Sequence, residues 1–240
     1  MIAGPNGSGK STLLDEVVRA IGTEALGVYV NADEIERHLR TPQGLDLAPF
    51  GVDTAALPEF LLASQWLAAK GYTEQARAAT VQRDYLRFPS VEVNSYLAAV
   101  TADFLRRALL SAGHTFTFET VMSSPSKVDF LRLARDNGYR VYLYFVATDD
   151  PEINVARVDS RVAKGGHPVT RDLIVSRYHR SLGLLPDAAR VASRAFVFDN
   201  STGGSTPALI AEADDGTLEF HAERVPKWIT TAFLADTDVA

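Results

Sequence analysis

The chain has no cysteine, which excludes thiol nucleophiles, disulfide staples and thiolate-bound zinc. No apolar run approaches the roughly 20 residues that cross a bilayer, and the first residues lead straight into a glycine-rich loop with no signal-peptide core. Positive charge is scarce as well: 24 Lys and Arg stand against 30 Asp and Glu, a formal net charge of -6. That balance argues against sequence-independent nucleic-acid binding, because neutralising phosphates needs a basic face. These absences predict a cytoplasmic protein with neither a membrane nor a nucleic acid as partner. What is present, 240 residues of which 46% are hydrophobic, is enough for one sizeable core without staples or metals.

The strongest positive signal is Gly4-Pro5-Asn6-Gly7-Ser8-Gly9-Lys10-Ser11-Thr12, which satisfies G-x-x-x-x-G-K-[ST] at every fixed position and runs directly into helix-forming sequence. Glycines at 4, 7 and 9 allow left-handed backbone, so that successive N–H groups can turn inward on phosphate oxygens at a helix N-terminus. In this pattern Lys10 reaches the β- and γ-phosphates, Ser11 supplies a hydroxyl to Mg²⁺, and Thr12 lies in the first helical turn. ATP or GTP with Mg²⁺ is therefore the expected cofactor set. Only Met1, Ile2 and Ala3 precede the loop, so its feeding strand is expected either as a stub or to start upstream.

Leu13, Leu14, Val17, Val18 and Ile21 form one helical stripe that Gly22 ends. Val28 to Asn31 reads as a short buried strand, which puts Asp33 just beyond a strand's carboxyl end, where open α/β sheets bind ligands. Asp33 is a candidate general base for a substrate hydroxyl; equally, with Glu36 three residues on, it suits a helix cap. The strand-helix rhythm then stops between Thr41 and Pro89. Helices are predicted over 57–70 and 73–88, with an apolar seam of Phe60, Leu61, Trp66 and Leu67 and with Arg77, Arg83 and Arg87 on a solvated face. A helix over 91–112 follows, then the β-rich Thr115-Phe116-Thr117-Phe118-Glu119. Glu119 again closes a strand, and a carboxylate there needs Mg²⁺, a substrate hydroxyl or an arginine for company unless the strand ends in solvent.

Ser124-Pro125 opens a helix that Gly138 closes, and Tyr139 to Ala147, the longest apolar run, reads as a strand buried on both faces. Pro151 opens a helix carrying Arg157 and Arg161 four residues apart. Beyond Gly165-Gly166-His167-Pro168 comes another with Arg171, Arg177 and Arg180. These arginines have the character of a lid over a triphosphate, or else of a surface ion-pair belt with Asp150, Glu152, Asp159 and Asp172. His167 reads as a turn residue. Ala195 to Phe198 is the expected last sheet strand, ending at Asp199-Asn200-Ser201 where a nucleotide base could sit, and Leu209 to Phe220 reads as a β-hairpin.

The loop from Gly4 to Thr12, Asn31-Ala32-Asp33-Glu34-Ile35, Phe116-Thr117-Phe118-Glu119-Thr120, Arg157 to His167 and Leu209-Ile210-Ala211-Glu212, in this order and spacing, resemble the zeta-toxin family of P-loop kinases, including members that phosphorylate UDP-N-acetylglucosamine. The resemblance implies a three-layer α/β P-loop NTPase fold with a parallel central sheet, a C-terminal β-hairpin and, as a departure from compact members, a helical insertion at about 41–90 within a single domain of residues 1–240. It implies that Lys10 contacts the transferred phosphate, Asp33 activates a sugar hydroxyl, Glu119 with Thr120 and Asn31 holds the substrate, and Arg157, Arg161 and Arg171 stabilise the transition state. A nucleotide-sugar substrate and a possible antitoxin protein follow from it as partners. The alternatives are another acceptor (a nucleoside, an NAD-like dinucleotide or an antibiotic) and a nucleotide-dependent switch or NTPase. A switch would show Asp-x-x-Gly at a strand end, and no candidate strand ends that way.

Overall fold

The computed structural model describes residues 1–166, 168–202, 206–222 and 225–234. In chain order it begins with β1 (Ile2–Ala3), α1 (Lys10–Ile21), β2 (Val28–Val30), α2 (Ala32–Leu39), β3 (Leu45–Asp46), α3 (Leu57–Leu62), α4 (Gln65–Ala69) and α5 (Thr73–Arg77). Next come β4 (Thr80–Gln82), β5 (Tyr85–Arg87), α6 (Ser95–Ser111), β6 (Phe116–Thr120), α7 (Ser126–Asp136), β7 (Tyr142–Ala147) and α8 (Pro151–Ala163). The last are α9 (Arg171–Gly183), α10 (Leu185–Val191), β8 (Arg194–Asp199), β9 (Ala208–Asp214), β10 (Thr217–Phe220) and α11 (Lys227–Leu234). The chain is an α/β protein of P-loop NTPase type. It gathers into two compact units, one of Met1–Gly22 with Thr120–Ala240 and one of Thr23–Glu119.

The first unit is built on strands in the order β10-β9-β8-β7-β1. β1 runs parallel to β7 and β7 to β8, whereas β9 and β10 continue the sheet antiparallel to β8. The C-terminal hairpin is thus an extension of the sheet, so β8 is not its last strand. Leu143, Phe145 and Val146 of β7 are fully buried, as the apolar run that ends at Ala147 predicts for a strand covered on both faces, and Val197 of the neighbouring β8 is buried with them. α1 turns Leu13 and Val17 into the core and leaves Ile21 48% exposed, one turn short of the predicted stripe. Gly22 ends it with φ 80 and donates to Val18 O.

In the second unit β2 and β6 pair in parallel and α6 packs on α2. α6 starts at Ser95, later than the apolar pattern suggests, because Asn94 Oδ1 accepts from the N–H groups of Tyr96 and Leu97 and fixes the boundary. The segment between Thr41 and Pro89 is only partly helical. Helix covers 57–62, 65–69 and 73–77; the Ser64 hydroxyl caps the second of these by accepting from Leu67 N–H, and the helix predicted over 73–88 ends at Arg77. Thr80 to Arg87 is instead a β-hairpin paired with β3, turning at Arg83 and Asp84 with φ of 48 and 63. Alternation decides this: Leu86 and Phe88 are buried two residues apart, the period of a strand, in a run of β-branched and aromatic residues. Of the predicted seam, Leu61 and Leu67 are buried, Phe60 meets the ring of Phe104, and Trp66 stays 48% exposed beside Tyr96.

Candidate functional site

The P-loop joins β1 to α1 in the first unit. Gly4 donates its N–H to Thr120 O and lies so close to β7 that a Cβ there would stand 2.0 Å from Val146 O, a position no side chain can occupy. Gly9, with φ 100, is the N-cap of α1; no side chain caps this helix and its first turn holds no acidic residue. The four leading N–H groups of a helix have no intrahelical partner, so this terminus is left to an anion. Lys10 is buried and donates from Nζ to the carbonyls of Gly4 and Pro5, both at 3.1 Å. A buried ammonium resting on loop carbonyls is a cation held in readiness for a phosphate. Ser11 and Thr12 are exposed, whereas Ser8 is fully buried with its Oγ making no hydrogen bond.

The loop is tied from behind by residues outside the motif. Asn154 of α8 donates from Nδ2 to Asn6 O at 2.6 Å, and Asn200 after β8 donates from Nδ2 to Ser8 O at 2.8 Å. Asn200 is thus buried beneath the loop and is a support in the place where a base-binding residue was expected. Arg177 of α9 brings Nη1 to 3.5 Å from Asn6 Oδ1. Asn154 carried no sequence signal, and Arg177 was one of five similar arginines.

The predicted lid arginines separate by environment. Arg157 is half-buried and its Nη1 is a buried nitrogen with no hydrogen-bond partner, the state in which a guanidinium most favours an incoming anion. Arg161 is exposed, and its carbonyl accepts from Gly166 N–H at 2.9 Å. Arg171 pairs with Glu152, both side chains being more than half exposed, as the ion-pair alternative described. Val155 and Val158 of α8 pack on Ile174 of α9, which holds the two arginine-bearing helices together. His167 lies outside the described residues.

In the second unit, Glu119 Oε2 accepts from Tyr29 OH at 3.1 Å and from Asn31 Nδ2 at 3.4 Å, and Asn31 Nδ2 also donates to Tyr29 Oη at 3.0 Å. These are polar partners from β2 and its end, where an arginine or metal was one expectation. Burial, and next the charge of Glu119, pushes ionisation of the Tyr29 phenol up, so it stays a proton donor. Asn31 uses its other end to cap α2: Oδ1 accepts from the N–H groups of Asp33 at 2.8 Å and Glu34 at 3.3 Å. Asp33 is therefore not the cap, and Glu36 is not its capping-box partner, being buried and bound to Arg40. The Asp33 side chain is exposed. Thr120, predicted with Glu119 and Asn31, falls in the first unit, where its Oγ1 accepts from Met122 N–H and its carbonyl from Gly4 N–H.

The residues present fit a nucleotide phosphate, on the open α1 terminus and the buried Lys10. For Mg²⁺, Ser11 offers one exposed hydroxyl; among the described residues no group of three or more His, Asp or Glu forms a cage. That suits an ion held mainly through phosphate oxygens and water. No helix among the described residues is long and apolar enough to cross a membrane.

Fold and loop together define a P-loop nucleotide-binding domain. The profile of AAA_33, an AAA domain, matches residues 1–181, and the chain belongs to that family. A protein of Haemophilus influenzae described as uncharacterized is 25% identical over 175 residues, covering 73% of this chain and 88% of its own. Two solved structures are similar over 97% of the chain. One, from work on the PezAT chromosomal toxin-antitoxin system of Streptococcus pneumoniae, has a TM-score of 0.48 at 14% identity over 78% of that chain. The other, AvrRxo1-ORF1:AvrRxo1-ORF2 with sulphate ions, has a TM-score of 0.49 at 15% identity over 76% of that chain.

Proposed function

We propose that the protein is a zeta-toxin-like P-loop kinase that transfers the γ-phosphate of ATP or GTP to a sugar hydroxyl of a nucleotide sugar such as UDP-N-acetylglucosamine. One observation carries this reading beyond nucleotide binding. Capping of α2 is done by Asn31, so the carboxylate of Asp33 is exposed and not consumed in holding its own helix. A carboxylate in a fixed first turn just past a strand end is suited to take a proton from a hydroxyl.

Lys10 exchanges its loop carbonyls for β- and γ-phosphate oxygens, and Arg157, followed by Arg161 and Arg171, meets the charge of the transferring group. Arg171 must leave Glu152 to do so. Asp33 takes the proton of the acceptor hydroxyl as its oxygen bonds to the γ-phosphorus and the bond to the departing diphosphate breaks. Asn31 and Glu119 offer donors and acceptors to the acceptor sugar, with Thr120 close behind in sequence. Ser11 would be one ligand of a bound Mg²⁺, whose chemistry would be to neutralise phosphate charge.

The test is mass spectrometry of a metabolite panel incubated with nucleotide and wild type, Lys10→Ala or Asp33→Asn. Wild type is expected to phosphorylate a UDP-sugar and Lys10→Ala to be inactive. Asp33→Asn should lose about 10² to 10⁴ in transfer rate while binding ADP as wild type does. A phosphate appearing on another metabolite in place of the UDP-sugar overturns the acceptor. Transfer by Asp33→Asn at the wild-type rate removes Asp33 from the mechanism.

A further inference from the structure

We infer that Asn154 and Asn200 are positioning residues for phosphate binding, clamping the carbonyls of Asn6 and Ser8 so that the P-loop is held in its anion-receiving form before any ligand arrives. This rests on the phosphate-binding role of the loop and not on the acceptor. The two amides donate to carbonyls two residues apart, at 2.6 Å on Asn6 O and 2.8 Å on Ser8 O. A trans peptide unit is planar, with its C=O and N–H pointing in opposite directions. Fixing Asn6 O on Asn154 therefore turns the N–H of Gly7 away from Asn154, and fixing Ser8 O on Asn200 turns the N–H of Gly9 away from Asn200. The N–H groups of Gly7 and Gly9 are thereby turned away from their clamps and left available to a nest of backbone N–H groups.

The motif glycines are matched to these clamps. A Cβ on Gly7 would stand 2.5 Å from Asn154 O, and a Cβ on Gly9 would stand 2.2 Å from Asn200 Nδ2. Both lie at positive φ, 75 and 100. Glycine at 7 and 9 thus serves to admit the asparagines as well as to let phosphate approach. The amide of Asn154 is itself oriented: its Oδ1 accepts from the Thr148 hydroxyl, and Thr148 O accepts from Tyr178 OH at 2.6 Å. With the oxygen so engaged, Nδ2 faces the loop. Asn154 is completely buried and Asn200 nearly so, where leaving a carbonyl unpaired is costly and the loop would rearrange to satisfy it.

The clamp is tested on the full chain by calorimetric binding of pyrophosphate, ADP and adenosine to wild type, Asn154→Leu and Asn200→Leu, which keep approximate side-chain size and add no charge but lose the donor. Asn154→Ala and Asn200→Ala serve where a leucine variant does not fold. Each variant is expected to bind pyrophosphate and ADP about tenfold or more weakly than wild type. Adenosine affinity should stay near wild type, and the unliganded unfolding midpoint should fall only by the cost of one lost buried hydrogen bond. Pyrophosphate affinity within about twofold of wild type in folded variants overturns the clamp, as do equal losses for ADP and adenosine, which mark a general structural role. Unfolding of all four variants overturns it too, since the asparagines would then hold the fold and not the loop. Wild type that binds no pyrophosphate removes the clamp together with the phosphate assignment, whereas intact ADP binding without transfer faults the kinase reading and leaves the clamp standing.

Discussion

The N-termini of α1 and α2 are built in opposite ways. α1 begins at a glycine with no capping side chain, has no acid in its first turn, and carries the buried cation Lys10 as its first residue. α2 begins at Asn31, which closes two of its N–H groups with one oxygen, and its first turn carries Asp33 and Glu34. A helix macrodipole favours an anion at either end of this kind. In α2 the chain's own carboxylates and cap satisfy that preference, whereas α1 has neither a capping side chain nor a first-turn acid to do so. One terminus is an anion receptor, and the other repels anions while displaying a carboxylate. The difference teaches that the same element can present either charge sign at its N-terminus, depending on what the cap residue does.

The largest effect should come from breaking the α1 terminus. Gly9→Ala places a Cβ against Asn200 Nδ2 at a left-handed φ, and is expected to cost about 2 to 4 kcal/mol of stability and to weaken ADP binding by more than about tenfold. Denaturant unfolding and calorimetry measure the two losses, and wild-type ADP affinity would show that the loop does not need the open cap. A smaller effect is expected from opening α2: Asn31→Ala removes the cap bonds to Asp33 and Glu34 at about 1 kcal/mol. Asn31→Asp should restore the cap but not the donor to Tyr29 and Glu119, so its stability in denaturant separates the two roles of the amide. The smallest effect belongs to Arg171→Ala, which deletes an exposed pair with Glu152 and should change unfolding free energy by less than about 0.5 kcal/mol. A transfer rate that falls while stability holds would place Arg171 in the reaction.

Legibility from sequence varied with the range of the interaction. The loop pattern, the part of the α1 stripe that carries Leu13 and Val17, the apolar run of β7 and the hairpin of β9 and β10 are local signals and agree with the structure. The helix expected through Phe88 failed because Thr80 to Phe88 carries a strand alternation beside charged residues that also suit a solvated helix face. At Asp33 the local signal was truly ambiguous: Asn31 and Asp33 can each cap, and only the observed bonds assign the task to Asn31.

By itself the sequence determined the phosphate loop, the strand ends beside which Asp33 and Glu119 stand, and the helices that carry the five arginines, because these depend on residue type and on neighbours a few positions away. The tertiary structure alone decided that Asn154 and Asn200 sit behind the loop, that Glu119 is held by Tyr29 and Asn31, and that Arg157 keeps a buried nitrogen unpaired while Arg171 is bound to Glu152 at the surface. Those outcomes depend on burial and on hydrogen-bond partners that lie far apart along the chain, which no local period or spacing encodes.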